Sequence, residues 1–468
     1  MLALSPAHAQ GPTSVADLVD KLLGSVVNIS TSQKVEQKRS RLPVPKAPEG
    51  SPFQDFFDEL FPDNEKNGAP RTVQSQGSGF VVDSSGIIVT NNHVVGDADE
   101  IVASFNDGTK LNAEVVGRDT KTDIAVLRVK ADHPLPAIKL GDSDKTRIGD
   151  WVLAIGNPFG FGRTVTLGIV SAIGRDINSG PYDNYIQTDA SINKGNSGGP
   201  LFNMDGEVIG INTAIISPSG GSIGLGFAIP TSLARGVIDQ LIQYGETRRG
   251  WLGVQIQTVT DEIAETLGMK DARGALVGDV VHDGPADKAG IKSGDVVLKF
   301  DNKDVKEMRD LPKIVADTPV GKEVDVIVLR KGEEQDLRAT VGRLEDGEKQ
   351  LASTAQDQEG QPAAPEDKSD IVLGMKLKEI TGADRESEEI ASDVEGVLVT
   401  EVEPGSNAAD KGIAKDDVLV EVGQEPVSTP QDVADRIEEL KKDGRKSVLM
   451  MVSSKTGDIR FVVLRIES

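Results

Sequence analysis

The run Gly195-Asn196-Ser197-Gly198-Gly199-Pro200 places one hydroxyl among glycines. Glycines permit a tight turn that presents a nucleophilic serine and leaves backbone N–H groups to receive the negative oxygen of a tetrahedral intermediate. The expected oxyanion hole spans Gly195, Asn196 and Ser197, with the N–H groups of Gly195 and Ser197 as donors. A serine hydroxyl is a weak nucleophile until a neighbouring base takes its proton, so this chemistry requires a histidine. Of the four histidines, His8 lies in the N-terminal segment, His282 in a later repeated segment, and His133 in the polar, Pro-flanked Lys130-Ala-Asp-His-Pro-Leu-Pro. His93 remains, in Thr90-Asn-Asn-His-Val-Val after the strand-like Gly86-Ile-Ile-Val. The imidazole in turn needs a carboxylate to fix its tautomer. Asp123, in Lys121-Thr-Asp-Ile-Ala-Val-Leu, precedes an apolar strand and falls between His93 and Ser197 in the chain. The chemistry expected of this trio is acyl transfer to Ser197.

These residues must be held by a β-rich scaffold. From Gly77 to Pro230 short β-branched runs alternate with Gly, Asn and Asp, the pattern of an all-β barrel or sandwich. A helix is expected over 232–244, and the domain boundary near 248–250. Upstream, Val15, Leu18, Val19, Leu22 and Leu23 recur at helical spacing after Ser14, which predicts a short amphipathic helix over 15–27. Residues 33–76, with Phe53, Phe56, Phe57, Leu60 and Phe61 among acidic residues, read as one long surface loop.

The C-terminal half repeats itself. Gly250-Trp-Leu-Gly-Val precedes Gly284-Pro-Ala-Asp-Lys-Ala-Gly-Ile-Lys-Ser-Gly-Asp-Val-Val-Leu, and Val372-Leu-Gly-Met precedes Pro404-Gly-Ser-Asn-Ala-Ala-Asp-Lys-Gly-Ile-Ala-Lys-Asp-Asp-Val-Leu. Residues 346–370 between them are poor in apolar side chains, the composition of a flexible linker, so the two repeats are expected to move relative to each other.

Composition removes other function classes. The 468 residues carry a formal net charge of -24, which argues against a phosphate-binding surface and so against nucleic acid as a partner. The absence of cysteine excludes disulfides, zinc-thiolate sites and a cysteine nucleophile. Neither a Walker A loop nor a metal-ligand cluster is found, so no cofactor and no metal are implied. Ala7-His8-Ala9 fits a small-x-small cleavage pattern, and residues 1–9 read as the remnant of a secretory signal peptide.

The order His, Asp, Ser on a β-rich block resembles the chymotrypsin-like clan. Thr90-Asn-Asn-His-Val-Val and Thr122-Asp-Ile-Ala-Val-Leu narrow the resemblance to the HtrA family, and it extends through Gly156-Asn-Pro-Phe-Gly, Gln187-Thr-Asp-Ala and Gly226-Phe-Ala-Ile-Pro. It covers nearly the whole chain. It implies a mainly β fold, with a chymotrypsin-like double β-barrel protease domain at 10–248 and two PDZ domains at 249–345 and 371–468. The activity implied is that of a periplasmic serine endopeptidase degrading unfolded envelope proteins, assembled as a homotrimer or multiples of trimers. Ile192, Ala214, Ile215 and Ile223 would then shape a specificity pocket for Val, Ala or Ile, and Arg175 would belong to a sensor loop. The loop 33–76 would be a regulatory loop. Each PDZ domain would bind a peptide as an added strand, its C-terminal carboxylate held by backbone N–H groups. In the first, Trp251, Leu252, Gly253 and Val254 occupy the carboxylate-loop position, with Trp251 where relatives more often carry Tyr or Phe. Lys194 is a second departure, placing a charge beside the pocket. The second PDZ motif is looser, and a structural or assembly role is as well supported for it as ligand binding. Two other classes stay open: a chaperone-like protein that holds unfolded chains, and a catalytically silent PDZ scaffold, which would have no need of the Ser197 turn.

Overall fold

The computed structural model describes residues 11–35, 71–96, 98–157, 163–177, 179–180, 182–217, 221–348, 370–381, 384–385, 390 and 394–466. The signal-peptide remnant, the loop phenylalanines and linker residues 349–369 lie outside the described residues. The chain forms two compact units, Met1–Thr247 and Arg248–Ser468.

In the first unit, helix α1 (Ala16–Leu22) leads into β1 (Val26–Val35). The strands that follow are β2 (Arg71–Asp83), β3 (Ile87–Thr90), β4 (Glu100–Ser104), β5 (Lys110–Asp119) and β6 (Ile124–Val129), with a single helical turn, α2 (Asn92–Val95), after β3. They close a barrel in the order β1-β2-β3-β6-β5-β4. A second barrel, β10-β11-β12-β9-β8-β7, is built from β7 (Trp151–Gly156), β8 (Thr164–Arg175), β9 (Tyr185–Thr188), β10 (Pro200–Phe202), β11 (Val208–Ile215) and β12 (Gly226–Pro230).

Two expectations about the first unit need correction. The N-terminal helix ends at Leu22, because Val26 and Val27 pair with Phe80 and Gly79 in the first barrel. The ends of the 33–76 segment are strand: Gln33, Lys34 and Val35 pair with Val73, Thr72 and Arg71. Backbone hydrogen bonds carry that extension, so its mixed side chains gave no alternating pattern to read.

Strands β3, β6 and β7 are largely apolar, Arg128 of β6 and Thr90 of β3 apart, because each faces two cores. Ile88, Ala125 and Leu127 point into the first barrel, Val152 and Ala154 into the second. The residues between them, Ile87, Val89, Ile124, Val126, Leu153 and Ile155, form a third layer joining the barrels. Helix α3 (Thr231–Tyr244) adds Ala234, Ile238 and Leu241 to that layer and ends at Gly245 in a left-handed cap. His93 follows β3, Asp123 precedes β6 and Ser197 precedes β10, so the joining layer brings the trio together at its rim.

The second unit contains both repeats. In the first, β14 (Val254–Thr258), β15 (Ala275–Val280), β16 (Val296–Phe300), β18 (Glu323–Arg330) and β19 (Glu333–Thr340) form one sheet in that order, and β17 (Lys303–Asp304) pairs with β16. β13 (Gly250–Trp251) pairs separately with β20 (Gly342–Arg343). In the second repeat the order is β21 (Asp370–Val372), β22 (Met375–Glu379), β23 (Val397–Val402), β24 (Val418–Val422), β26 (Ser447–Ser453) and β27 (Ile459–Arg465), with β25 (Glu425–Pro426) on β24. Helices α4 (Asp261–Thr266) and α5 (Asp310–Ala316) belong to the first repeat and α6 (Pro430–Lys442) to the second. Among the described residues, no helix is long and apolar enough to cross a membrane.

The repeats are not independent bodies. Along β26, Val448, Met450 and Val452 fill the second repeat's own core, whereas Leu449 and Met451 turn outward. With Phe461 and Val463 of β27 they pack on Val259, Ile263, Leu267, Leu276, Val296 and Leu298 of the first repeat. The Gln257 side chain brackets the Phe461 backbone, donating to its carbonyl at 2.8 Å and accepting its N–H at 2.9 Å. Ion pairs Lys331–Glu425, at 3.0 Å, and Glu262–Lys411 flank the layer. This packing replaces the mobility inferred from the linker. Phe461→Ala is expected to cost about 3 kcal/mol in this unit, the usual scale for truncating a buried aromatic. Urea unfolding of the full chain followed by Trp251 fluorescence in a Trp151→Phe background measures it.

Candidate active site

Asp123 sits in the left-handed region at φ 57°, a conformation Asp tolerates better than bulkier residues. Its main-chain carbonyl is held by the Asn91 side-chain amide at 2.8 Å and the Asn92 N–H at 3.1 Å. Its carboxylate accepts three further bonds: from the His93 N–H at 2.9 Å, from His93 Nδ1 at 2.7 Å, and from the Thr213 hydroxyl at 2.7 Å. Asn91 in the Thr90-Asn-Asn-His run therefore has a physical reason, since its side chain, with the Asn92 main-chain N–H, fixes the residue that pairs with the histidine. Held at Nδ1, the neutral ring keeps Nε2 free to accept a proton.

Ser197 lies across the barrel junction on a turn bracketed by β11. The Gly198 N–H donates to Asn212 O and the Asn212 N–H to Gly199 O, both at 2.8 Å. Gly198 has φ 82°, and a Cβ there would lie 2.3 Å from Ser78 O and from the Thr90 hydroxyl. No residue with a side chain fits without moving the turn. The Ser197 hydroxyl donates to Thr213 O at 3.3 Å, a long contact of the kind catalytic groups make before substrate binds.

Within the turn, the Asn196 N–H donates to Asn193 O at 3.0 Å. The N–H groups of Gly195 and Ser197 have no partner among the described residues. The Asn196 side chain is buried, packed where a Cβ on Gly156 would lie 2.4 Å from its Oδ1. Ile192 is buried beside Gly226, Ala214 and Ile215 are half-buried on β11, and Ile223 is 55% exposed. The Asn193 side chain accepts from the Ser222 N–H at 2.9 Å, tying the 214–223 loop to the segment leading into the turn. Residues 218–220 of that loop lie outside the described residues.

Arg175 closes β8, its guanidinium donating to the Gln187 side chain at 3.0 Å. Its strand partner Tyr185 is packed edge-on against Phe227, and burial pushes its phenol up to about 12, so it stays protonated against the Ser179 hydroxyl. Trp251 lies over the end of the first repeat: a Cβ on Gly347 would come within 2.4 Å of its indole. Leu252 is buried in the core below, and Val254 opens β14. In the second repeat, Leu373 and Gly374 both have positive φ, 52° and 80°, and make a two-residue turn that folds β21 onto β22. His282, Asp283 and Asp287 bring potential ligand atoms within 4.8 Å of one another, a grouping the spacing did not suggest; all three are exposed.

Sequence reasoning missed Thr213 and Ser78. Both are buried polar residues, but only Thr213 stands out, within the largely apolar β11; Ser78 lies among the Gln and Gly residues of β2.

Comparison with known proteins agrees with this arrangement. Residues 77–211 match the trypsin-like peptidase domain, and residues 250–341 and 398–449 match PDZ domains. A probable periplasmic serine endoprotease, DegP-like, from Brucella suis is 42% identical over 96% of this chain and 89% of its own length. One from Halomonas elongata is 42% identical over 100% of this chain and 96% of its own length. The solved HtrA-type protease AlgW with a decapeptide is 42% identical, covers 71% of this chain and 99% of its own, and has a TM-score of 0.59. With a double barrel, two PDZ domains and relatives of this identity over almost its full length, the chain belongs to the HtrA family of DegP-like serine endoproteases.

Proposed function

We propose that the chain hydrolyses unfolded envelope proteins in the periplasm through His93, Asp123 and Ser197. The observation that carries this reading is the single Asp123 carboxylate that accepts from His93 Nδ1, the His93 N–H and Thr213. Ser197 Oγ attacks the scissile carbonyl carbon while its proton passes to His93 Nε2, and Asp123 stabilises the imidazolium. The developing oxyanion is received by the N–H groups of Gly195 and Ser197; Asn196 contributes no donor, since its N–H is already used. Collapse expels the amine, which takes the imidazolium proton, and water repeats the sequence on the acyl-enzyme. The buried Ile192 beside Gly226 supports a shallow pocket for Val, Ala or Ile. Incubation with a fluorophosphonate should add one label per chain, on the peptide containing Ser197, and mass spectrometry of casein fragments should show cuts after Val, Ala and Ile. Unlabelled Ser197 with intact casein overturns the reading.

Peptide capture is assigned to the first PDZ domain. β14 ends its sheet with one edge unpaired among the described residues, whereas the corresponding edge of β22 is taken by β21 of the same chain. A peptide with a hydrophobic C-terminus is therefore expected to bind once per chain and to shift Trp251 emission in a Trp151→Phe background, measured by titration. Two bound peptides per chain would contradict the assignment. The homotrimer implied by the family belongs to this proposal, and sedimentation of the purified protein measures it.

A further inference from the structure

Ser78 is fully buried on β2, one residue after Gly77, and is absent from the triad. Four hydrogen bonds converge on it. Its hydroxyl donates to Gly195 O at 2.6 Å and accepts the Asn157 N–H at 3.0 Å. Its N–H donates to Ser197 O at 2.8 Å, and its carbonyl accepts the Thr90 hydroxyl at 2.7 Å. One residue of the first barrel thus touches the nucleophile turn twice, the segment leading to His93, and the Asn157 segment of the second barrel.

The bond to Gly195 O has the sharpest consequence. The peptide unit joining Gly195 to Asn196 is planar, with its C=O and N–H pointing in opposite directions. Ser78 holds the C=O, and Asn193 O holds the N–H. A plane anchored at both ends cannot rotate, and its orientation sets the two N–H groups flanking it, those of Gly195 and Ser197. The second Ser78 contact holds the carbonyl just beyond the nucleophile. The hydroxyl also has to give and receive at once, which alanine cannot do.

We infer that Ser78 is a positioning residue that sets the oxyanion-binding conformation of the Gly195–Ser197 turn from the opposite barrel. It touches neither substrate nor reacting atoms, and the inference rests on the serine-protease reading above. Without the hydroxyl, Gly195 O and the Asn157 N–H both lose a buried partner, and the turn can rotate to find others. Transition-state stabilisation then falls while ground-state binding remains.

The test compares wild type with Ser78→Ala, Ser78→Cys and Ser78→Thr, using a chromogenic peptide substrate and a peptidyl trifluoromethyl ketone. The ketone forms a hemiketal with Ser197 whose oxygen occupies the oxyanion position. Ser78→Ala should lower kcat about a hundredfold, the lower range for losing one oxyanion donor, with KM unchanged. Ketone affinity should fall by a similar factor, affinity for a non-covalent product peptide should not move, and Ser78→Thr should restore kcat. Should Ser78→Ala not fold, Ser78→Cys carries the comparison, since it keeps the shape with a weak donor. Wild-type kcat and ketone affinity in the folded variant, or a loss confined to KM, overturn the inference. If instead wild type takes no fluorophosphonate at Ser197, the underlying reading fails; labelled wild type with unaffected Ser78 variants sinks only the positioning role.

Discussion

Ser197→Ala is expected to reduce kcat for casein cleavage by about a millionfold, the scale seen when the nucleophile of a cooperating triad is removed. The change deletes one oxygen whose hydrogen bond is the long 3.3 Å contact to Thr213 O, so folding should be almost unaffected. The residual rate, about a thousandfold or more above water, is expected from the Gly195 and Ser197 N–H groups. Quenched-flow or long-incubation assays with fluorescent casein measure it, with urea unfolding as control. A variant retaining one per cent of wild-type kcat would remove Ser197 from the role of nucleophile.

Asp123→Asn is expected to lower kcat about ten-thousandfold with KM nearly unchanged. The reason lies in the donors around the carboxylate. Oδ1 accepts the His93 N–H, and Oδ2 accepts both His93 Nδ1 and the Thr213 hydroxyl. An asparagine brings one oxygen and one NH2 group to a place where every neighbour donates. With its oxygen toward the His93 N–H, its NH2 faces Nδ1, and the ring must carry its proton on Nε2, where it cannot accept from Ser197. With the amide reversed, its oxygen still accepts from Nδ1, but its NH2 opposes the His93 main-chain N–H, which loses its acceptor, so the first orientation is preferred. Steady-state kinetics on a peptide substrate decide the matter: a loss under tenfold would mean that the carboxylate does not set the tautomer.

His93, Asp123 and Ser197 could be picked out because acyl-transfer chemistry restricts residue type severely and the chain has few histidines to choose among, and the structure joins His93 to Asp123. The two barrels were legible as a β-rich block, since β3, β6 and β7 write largely apolar runs. What those runs did not disclose is that alternate residues serve different cores. Thr213 and Ser78 escaped notice because their roles depend on partners 90 and 117 residues away along the chain. The second repeat's Val372-Leu-Gly-Met looked like a weaker copy of Trp251-Leu-Gly-Val. The difference lies in backbone torsion: Leu373 takes a positive φ where Leu252 does not, and the same letters make a hairpin in place of an open loop. The docking of the repeats was hidden for a related reason. Leu449, Met451, Phe461 and Val463 are the apolar residues that any β-hairpin carries, and nothing in their spacing says that both of its faces are covered.

That shared layer gives the second PDZ domain a role in the solubility of the first. A chain ending after the first domain would expose Ile263, Leu276, Val296 and Leu298 together, a sticky face that invites self-association.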